Sequence, residues 1–184
     1  MAKGTILKEK DTAKPSNTGS ESSGKKALVV YFSLEGNTRF VAETIAGLAK
    51  ADILELTPIT NISKGFTKYL WGGRMAMMKT EPELKPYDIN PKDYDLLFIG
   101  SPIWAWTFSP PIRTFLAKSK LRKKKVALFI THGGGPKEAM TKFKAALEGN
   151  KILGEIDFFE PEGQNTQKEA KVKLKKWVGK MLEK

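Results

Sequence analysis

The chain has 184 residues, and its 32 lysines and arginines outnumber 20 acidic residues to give a formal net charge of +12. It contains no cysteine, which excludes a disulfide framework, a thiolate nucleophile and a cysteine-ligated zinc or iron–sulfur centre. The single histidine, His132, offers no pair at metal-binding spacing, so we predict no metal site.

The amino-terminal segment, residues 1–26, is rich in Lys, Ser, Thr and Gly and holds one short apolar pair, Ile6 and Leu7. This composition predicts a disordered leader that lacks the apolar core of a secretion signal. No later stretch approaches the roughly 18 consecutive apolar residues of a membrane span. We therefore expect a cytoplasmic protein without a membrane span, in which residues 27–184 form one domain.

Strand and helix patterns alternate along that domain. Short apolar segments predict five strands, at Ala27–Ser33, Asp52–Pro58, Tyr94–Pro102, Lys125–Gly135 and Lys151–Pro161. Helical spacing appears at Thr38–Ala51, Ser109–Ser119, Pro136–Gly149 and Lys168–Lys184. Strand and helix in alternation predict an α/β fold, a doubly wound parallel sheet with helices on both faces.

Apolar spacing also predicts which helix faces are buried. Ser109 is the expected N-cap of the second helix, with prolines in its first turn. The first helix presents Phe40, Val41, Ile45, Leu48 and Ala49 on one face. The last helix repeats apolar residues at Ala170, Leu174, Trp177, Val178 and Met181.

The segment Ile59–Asp93, between the second and third strands, has no clear pattern. A weak apolar face passes through Phe66, Tyr69, Leu70 and Met75. The simplest interpretation is a helix that covers the sheet and is followed by a loop. A lid or a partner surface is the alternative.

The positive charge concentrates in Lys118–Lys125, "KSKLRKKK", and in the last helix. These lysines do not alternate with aromatic residues as they would on a base-stacking platform. We expect a solvated basic face and no specific nucleic-acid binding, with a docking surface as the alternative.

Polar or glycine-rich loops follow three of the predicted strands: "SLEGNT", "SPIWAWTFSPP" and "THGGGPKE". In an open parallel sheet, ligands bind beyond the carboxyl ends of the strands. The first loop leads into a helix, whose leading N–H groups and dipole favour an anion. Its hydroxyls, amide and glycine form a phosphate cradle by composition, although an ordinary capped turn is the alternative; it matches neither GK[ST] nor GxGxxG.

The second loop holds Trp104, Trp106 and Phe108 within five residues. Aromatic side chains on a loop indicate a planar ligand or a hydrophobic shelf, although one tryptophan capping the core is the alternative. In the third loop, Gly133–Gly135 allow close backbone approach to a flat heterocycle, or form a flexible turn. Together the loops fit a mononucleotide with a large planar ring.

These motifs resemble the flavodoxin family. "YFSLEGNT" is similar to its FMN phosphate loop, "GSPIWAWTFSPPIRTFL" to its second flavin loop and "THGGG" to its third, in the family order and over residues 27–182. The resemblance implies a five-stranded flavodoxin-like sheet in the order 2-1-3-4-5 that binds FMN non-covalently. The cofactor-binding residues that it implies are Ser33, Leu34, Glu35, Gly36, Asn37 and Thr38 at the phosphate, Ser101, Pro102, Ile103 and Trp104 at the isoalloxazine, and Thr131, His132, Gly133, Gly134 and Gly135 at the pyrimidine edge.

The chain departs from the family pattern in four places. Glu35 stands where many members have Ser or Thr, and we expect its side chain to point outward. The third loop lacks an aromatic residue, so the outer ring face is open or covered by Tyr69 or Trp71. The long insertion of long-chain members is missing, which indicates the short-chain type. Finally, the chain is basic, whereas a typical flavodoxin is acidic.

The resemblance implies an electron-transfer protein that cycles bound FMN by one or two electrons, with a redox partner protein that the charge suggests is acidic. The alternatives are an FMN-dependent NAD(P)H:quinone or flavin reductase, and a degenerate binding module without cofactor. A hydrolase is disfavoured because there is no GxSxG elbow and no triad spacing. The oligomeric state is left open.

Overall fold

The protein is represented by a computed structural model, which describes residues 26–60, 80–136, 138–161 and 164–184. The predicted leader up to residue 25 lies outside the described residues. So do the predicted helix through Phe66, Tyr69, Leu70 and Met75 and the proposed ring cover from Tyr69 or Trp71.

A parallel sheet forms the centre of the fold. Its strand order is β2-β1-β3-β5-β6, with β4 paired antiparallel to the end of β3. The predicted fold class and the predicted order 2-1-3-4-5 are confirmed, since β5 and β6 are the fourth and fifth predicted strands; sequence reasoning missed β4. The strands are β1 (Ala27–Tyr31), β2 (Asp52–Glu55), β3 (Leu96–Trp104), β4 (Thr107–Phe108), β5 (Lys125–His132) and β6 (Lys151–Phe159).

The helices flank this sheet on both faces. The third one is shorter than predicted, because turns replace the helix after Ala145. The helices are α1 (Asn37–Ala49), α2 (Pro110–Ser119), α3 (Ala139–Ala145) and α4 (Gln164–Leu182), and a 3₁₀ turn covers Pro91–Asp93.

The sheet separates two hydrophobic cores, because successive strand residues point to opposite faces. One core contains Val30, Ile99 and Leu128 and is covered by α2 and α3; the other contains Val29 and Phe98 and is covered by α1 and α4. The predicted face of α4 is confirmed, with Ala170, Leu174, Val178 and Met181 buried and Trp177 half-buried.

The predicted burial of Leu48 is wrong. The buried residues of α1 are Thr38, Val41, Ala42 and Ile45, whereas Leu48 is 39% exposed. Ala46 and Ala49 pack against the core instead, so the end of α1 contributes small residues to the buried face.

At the far side of the sheet, β6 is the last strand of the described sheet. Two lysines of the carboxyl-terminal region bond to its backbone. Lys173 Nζ donates to the carbonyl of Asp157 at 3.0 Å, and Lys184 Nζ donates to the carbonyl of Leu153 at 2.6 Å. Within the described ranges, no helix combines the length and apolarity required to cross a membrane.

Candidate cofactor site

A cavity of about 260 Å³ lies at the carboxyl ends of β1, β3 and β5. The three loops singled out in the sequence therefore meet at one place, as the topology of a parallel sheet requires. Most of the predicted site residues line it, and Gly36, Ser101, Gly134 and Gly135 do not. Its lining is Ser33, Leu34, Glu35, Asn37, Thr38, Pro102, Ile103, Trp104, Ala105, Thr131, His132, Gly133 and Glu160.

The start of α1 forms one wall of the cavity. Its N-cap is Gly36, with φ 102°, which is a left-handed conformation that glycine adopts at low cost. No side-chain hydrogen bond caps the helix and its first turn holds no acidic residue, which suits an anionic ligand at this helix start. Ser33 Oγ accepts the backbone N–H of Gly36 at 3.2 Å and keeps its own proton for donation.

A buried contact joins the first loop to the third. The hydroxyl oxygens of Thr38 and Thr131 are 2.8 Å apart, and both residues are about 1% exposed. Two hydroxyls contain two protons, and the bond between them uses one. The pair therefore holds a second proton that can be donated to a ligand oxygen in the cavity.

Glu35 is exposed and also lines the rim of the cavity. Its carboxylate is thus an acidic group at the mouth of a site whose other first-loop groups suit an anion.

The side chain of Arg39, in the first part of α1, bonds to Glu55 of β2 at 2.6 Å. Burial raises the pKa of Tyr31, at the end of β1, to about 12.

The second loop is a tight hairpin between β3 and β4. Ile103 pairs with Phe108 and Trp104 with Thr107, so Ala105 and Trp106 form a two-residue turn. Both turn residues have positive φ, 45° and 58°, as a type I′ turn requires. This is a conformation that side chains with a Cβ adopt at a cost of about 1–2 kcal/mol each.

This hairpin assigns different positions to the three aromatic residues of the loop. Trp104 lines the cavity, and its ring meets Phe32 edge-on with centroids 5.5 Å apart. Trp106 is 54% exposed at the turn. Phe108 is buried and stacks on Phe143 at 4.9 Å. The aromatic core residue is therefore Phe108, and Trp104 is the aromatic wall of the cavity.

Ser101 lies beneath the hairpin and is fully buried. Its Oγ accepts the backbone N–H of Ser109 at 2.8 Å and lies 3.0 Å from the Ser109 hydroxyl. Ser109 occupies the predicted N-cap position of α2, but its hydroxyl makes no capping bond because it faces Ser101. These bonds connect β3 to α2 and hold the loop that contributes Trp104.

His132, at the end of β5, has a defined tautomer. Its Nδ1 accepts the backbone N–H of Gly135 at 3.0 Å, so the neutral ring carries its proton on Nε2, which faces Asp157 Oδ2 at 3.2 Å. These two bonds fix the third loop against β6. Gly135, which has a φ of 95°, does not line the cavity but supports the third loop through its bond to His132.

Sequence reasoning missed Ala105 and Glu160 as lining residues. Glu160 has a φ of 33°, and its N–H donates to the carbonyl of His132 at 3.1 Å. A Cβ at Gly133 would lie 2.9 Å from the Glu160 carboxylate, so a larger residue at position 133 would require this exposed side chain to move. The sequence signal that could have identified Glu160 is an acidic residue directly after β6, at the edge of the sheet where the cavity lies.

The order of strands and the position of the cavity define a doubly wound α/β protein with a ligand site at its strand ends. The family model described as flavodoxin matches residues 26–181, and the chain belongs to the flavodoxin family. No curated protein sequence matches the chain.

Solved structures agree with this assignment. A flavoprotein of Lactobacillus acidophilus, determined in complex with FMN, is 27% identical, with a TM-score of 0.65 and coverage of 73% of this chain and 93% of that one. The oxidised flavodoxin 2 of Bacillus cereus is 19% identical, with a TM-score of 0.56 and coverage of 86% and 98%. The second similarity supports the fold alone.

Proposed function

We propose that this chain is an electron-transfer flavoprotein that holds FMN non-covalently in the cavity and passes one or two electrons between partners. The observation that carries the proposal is the convergence of an uncapped helix start, a hydroxyl pair and an aromatic wall on one cavity. The family membership and the FMN complex of the Lactobacillus relative support the choice of cofactor.

The residues present fit FMN group by group. Ser33 and the pair of Thr38 and Thr131 offer hydroxyl protons beside the start of α1, which suits a phosphate dianion. Trp104, fixed edge-on by Phe32, offers a flat apolar face to an isoalloxazine. When bound, FMN supplies the redox chemistry, while these side chains bind and orient it.

The cavity formed by the described residues is smaller than a pocket that encloses a whole ligand. Pockets that enclose a ligand of comparable size measure roughly 300–1,000 Å³. At about 260 Å³, the described walls enclose only part of such a ligand. A flavin edge that stays at the surface can exchange electrons with a docked protein.

The test is to add FMN to the purified apoprotein, photoreduce it without oxygen, and separately add NAD(P)H to the oxidised form. The proposal predicts tight FMN binding, stepwise photoreduction and no bleaching by NAD(P)H alone. Bleaching within a turnover time would establish the reductase alternative. Failure to bind FMN would overturn both and favour a binding module without cofactor.

Asn37→Asp sharpens this test. The substitution conserves shape and adds a carboxylate to the first residue of α1, where a negative charge stabilises the helix. FMN affinity should fall at least tenfold, while affinity for riboflavin, which lacks the phosphate, should stay within about twofold. Glu43→Gln, on an exposed part of α1 away from the cavity, changes the charge by one unit in the opposite direction and should leave FMN affinity within about twofold.

A further inference from the structure

The end of the sheet opposite the cavity is strongly basic. The amino ends of parallel strands meet at one edge, and here they bring together Lys120–Lys125, Lys26, Lys92, Lys151 and Lys184. We call this surface the basic end. Backbone bonds confirm that its parts are adjacent: Lys151 N–H donates to the carbonyl of Lys124, and Lys123 N–H donates to that of Gly149, both at 2.8 Å.

The cations of the basic end bond to neutral carbonyl groups. Arg122 donates to the carbonyl of Glu148 at 2.6 Å. Lys124 Nζ donates to the carbonyls of Lys92 and Tyr94. Because a carbonyl carries no net charge, these bonds fix the side chains without neutralising them.

Two carboxylates at this end accept bonds from neutral donors and keep their own negative charge. Asp95 accepts the backbone N–H of Lys26 at 2.9 Å, and Asp52 accepts the hydroxyl of Tyr94 at 2.6 Å. The ion pairs found among the described residues, such as Arg39–Glu55 and Lys144–Glu155, lie away from the basic end. Among the described residues, the nine cations of the basic end outnumber the nearby carboxylates Asp52, Asp93, Asp95 and Glu148, so a net positive charge remains.

The composition of the surface indicates its partner. Lysine predominates, with Arg122 the one guanidinium in Lys120–Lys125, and lysine acts as a point charge whereas bidentate phosphate recognition in a shaped site favours arginine. Lysine is also depleted in protein–protein interfaces. Two aliphatic side chains, Leu48 and Ile53, are 39% and 40% exposed at the same end, in the last turn of α1 and near the start of β2. Lysine charge with exposed aliphatic groups suits a bilayer surface.

We propose that the basic end docks the protein onto an anionic membrane surface. Each lysine near such a surface contributes to the affinity, and salt weakens the attraction. The eight residues of β5 separate the two ends of the sheet by about 26 Å, so the cavity faces away from the lipid in the docked protein. The inference does not depend on FMN binding.

The experiment is co-sedimentation of the full chain with vesicles of phosphatidylcholine containing one third phosphatidylglycerol, at about 50 mM and 500 mM salt. Binding is expected at low salt, loss at high salt, and no binding to pure phosphatidylcholine. The variant Lys92→Gln, Lys123→Asn and Lys151→Gln changes three exposed side chains, and Asn tolerates the positive φ of 56° at position 123. Its affinity should fall about fivefold for each lysine, or about 100-fold in all.

The control removes the same charge elsewhere, by Lys85→Gln, Lys168→Gln and Lys175→Gln, which are exposed residues outside the basic end. Its affinity should fall less than about fivefold. Equal losses in the two variants would show that net charge alone acts and would overturn the proposal. It would also be overturned if the chain ignored anionic vesicles, or if it bound them no better than neutral ones. Salt-sensitive binding to poly(U) or to an acidic protein, without vesicle binding, would assign the surface to a different partner.

Discussion

The hydroxyl oxygens of Thr38 and Thr131 lie 2.8 Å apart in the interior, 93 positions apart in the chain. Replacing either by Val leaves the other hydroxyl buried without its partner, at a cost of about 1–3 kcal/mol. We expect the double variant to be more stable than the sum of the single losses predicts. Urea unfolding of the apoprotein measures this coupling.

The same variants separate stability from binding. If the pair donates its second proton to the FMN phosphate, the double variant regains stability but binds FMN at least tenfold more weakly, as judged by titration of flavin fluorescence. Wild-type affinity in the double variant would show that the pair serves the fold alone.

Glu35 tests the electrostatics of the cavity rim. Its exposed carboxylate lines the cavity, so Glu35→Thr and Glu35→Gln should tighten FMN about two- to fivefold at low salt, and less at high salt. Glu43→Gln is the control. Unchanged affinity in both Glu35 variants would mean that the carboxylate points away from the phosphate.

The hairpin turn stores backbone strain that glycine would relieve. Ala105→Gly should stabilise the protein by about 0.5–1 kcal/mol, the cost of a left-handed residue less the extra entropy of unfolded glycine. Ala146→Gly, at an exposed residue with φ −69°, should instead lower stability by up to about 1 kcal/mol. Equal effects in chemical denaturation would contradict the turn assignment.

Gly100 has no room for a side chain. A Cβ there would lie 2.0 Å from the Phe129 ring, inside the core, so Gly100→Ala should cost at least about 3 kcal/mol or prevent folding. Adding Phe129→Leu should recover part of the loss by making space. Gly47→Ala, with open space in α1, should raise stability by about 1 kcal/mol, and thermal melting distinguishes the two sites.

The raised pKa of Tyr94 predicts part of the loss of protein stability at alkaline pH. Burial, aided by the hydrogen bond to Asp52, raises its pKa from 10.0 to about 12. Below pH 10 the Tyr94 phenol is protonated in both the folded and the unfolded state. Its full contribution to the free energy of unfolding is therefore present. Above pH 10 the unfolded chain ionises first, so that contribution, on the order of 1–3 kcal/mol, is lost by about pH 12. Between these pH values the wild type should lose more unfolding free energy than Tyr94→Phe, and parallel losses would contradict the assignment.

The fold was predictable because local signals agreed with topology. Continuous apolar runs marked strands buried on both faces, and the polar loops after them had to meet at one edge. The short β4 was not predictable, because Ala105 and Trp106 lack the Asn-Gly signal of a type I′ turn.

Contacts between residues that are distant in the sequence could not be predicted either. The position of Glu160 over Gly133 arises from strand pairing, and the bond between Thr38 and Thr131 depends on how α1 packs.

The net charge of the chain did not indicate the charge of the site. The cavity rim carries Glu35 and Glu160, whereas the lysines of the basic end lie at the opposite edge of the sheet.

The lysine bonds to β6 have a consequence for molecules in a crowded solution. A border strand with unpaired backbone groups is a template on which another chain can add a strand. Here the carbonyls of Asp157 and Leu153 already accept bonds from Lys173 and Lys184. A strand of a second molecule would have to displace both ammonium groups, which would then be either buried or solvated by water. These two bonds make the addition of a strand at this edge less favourable.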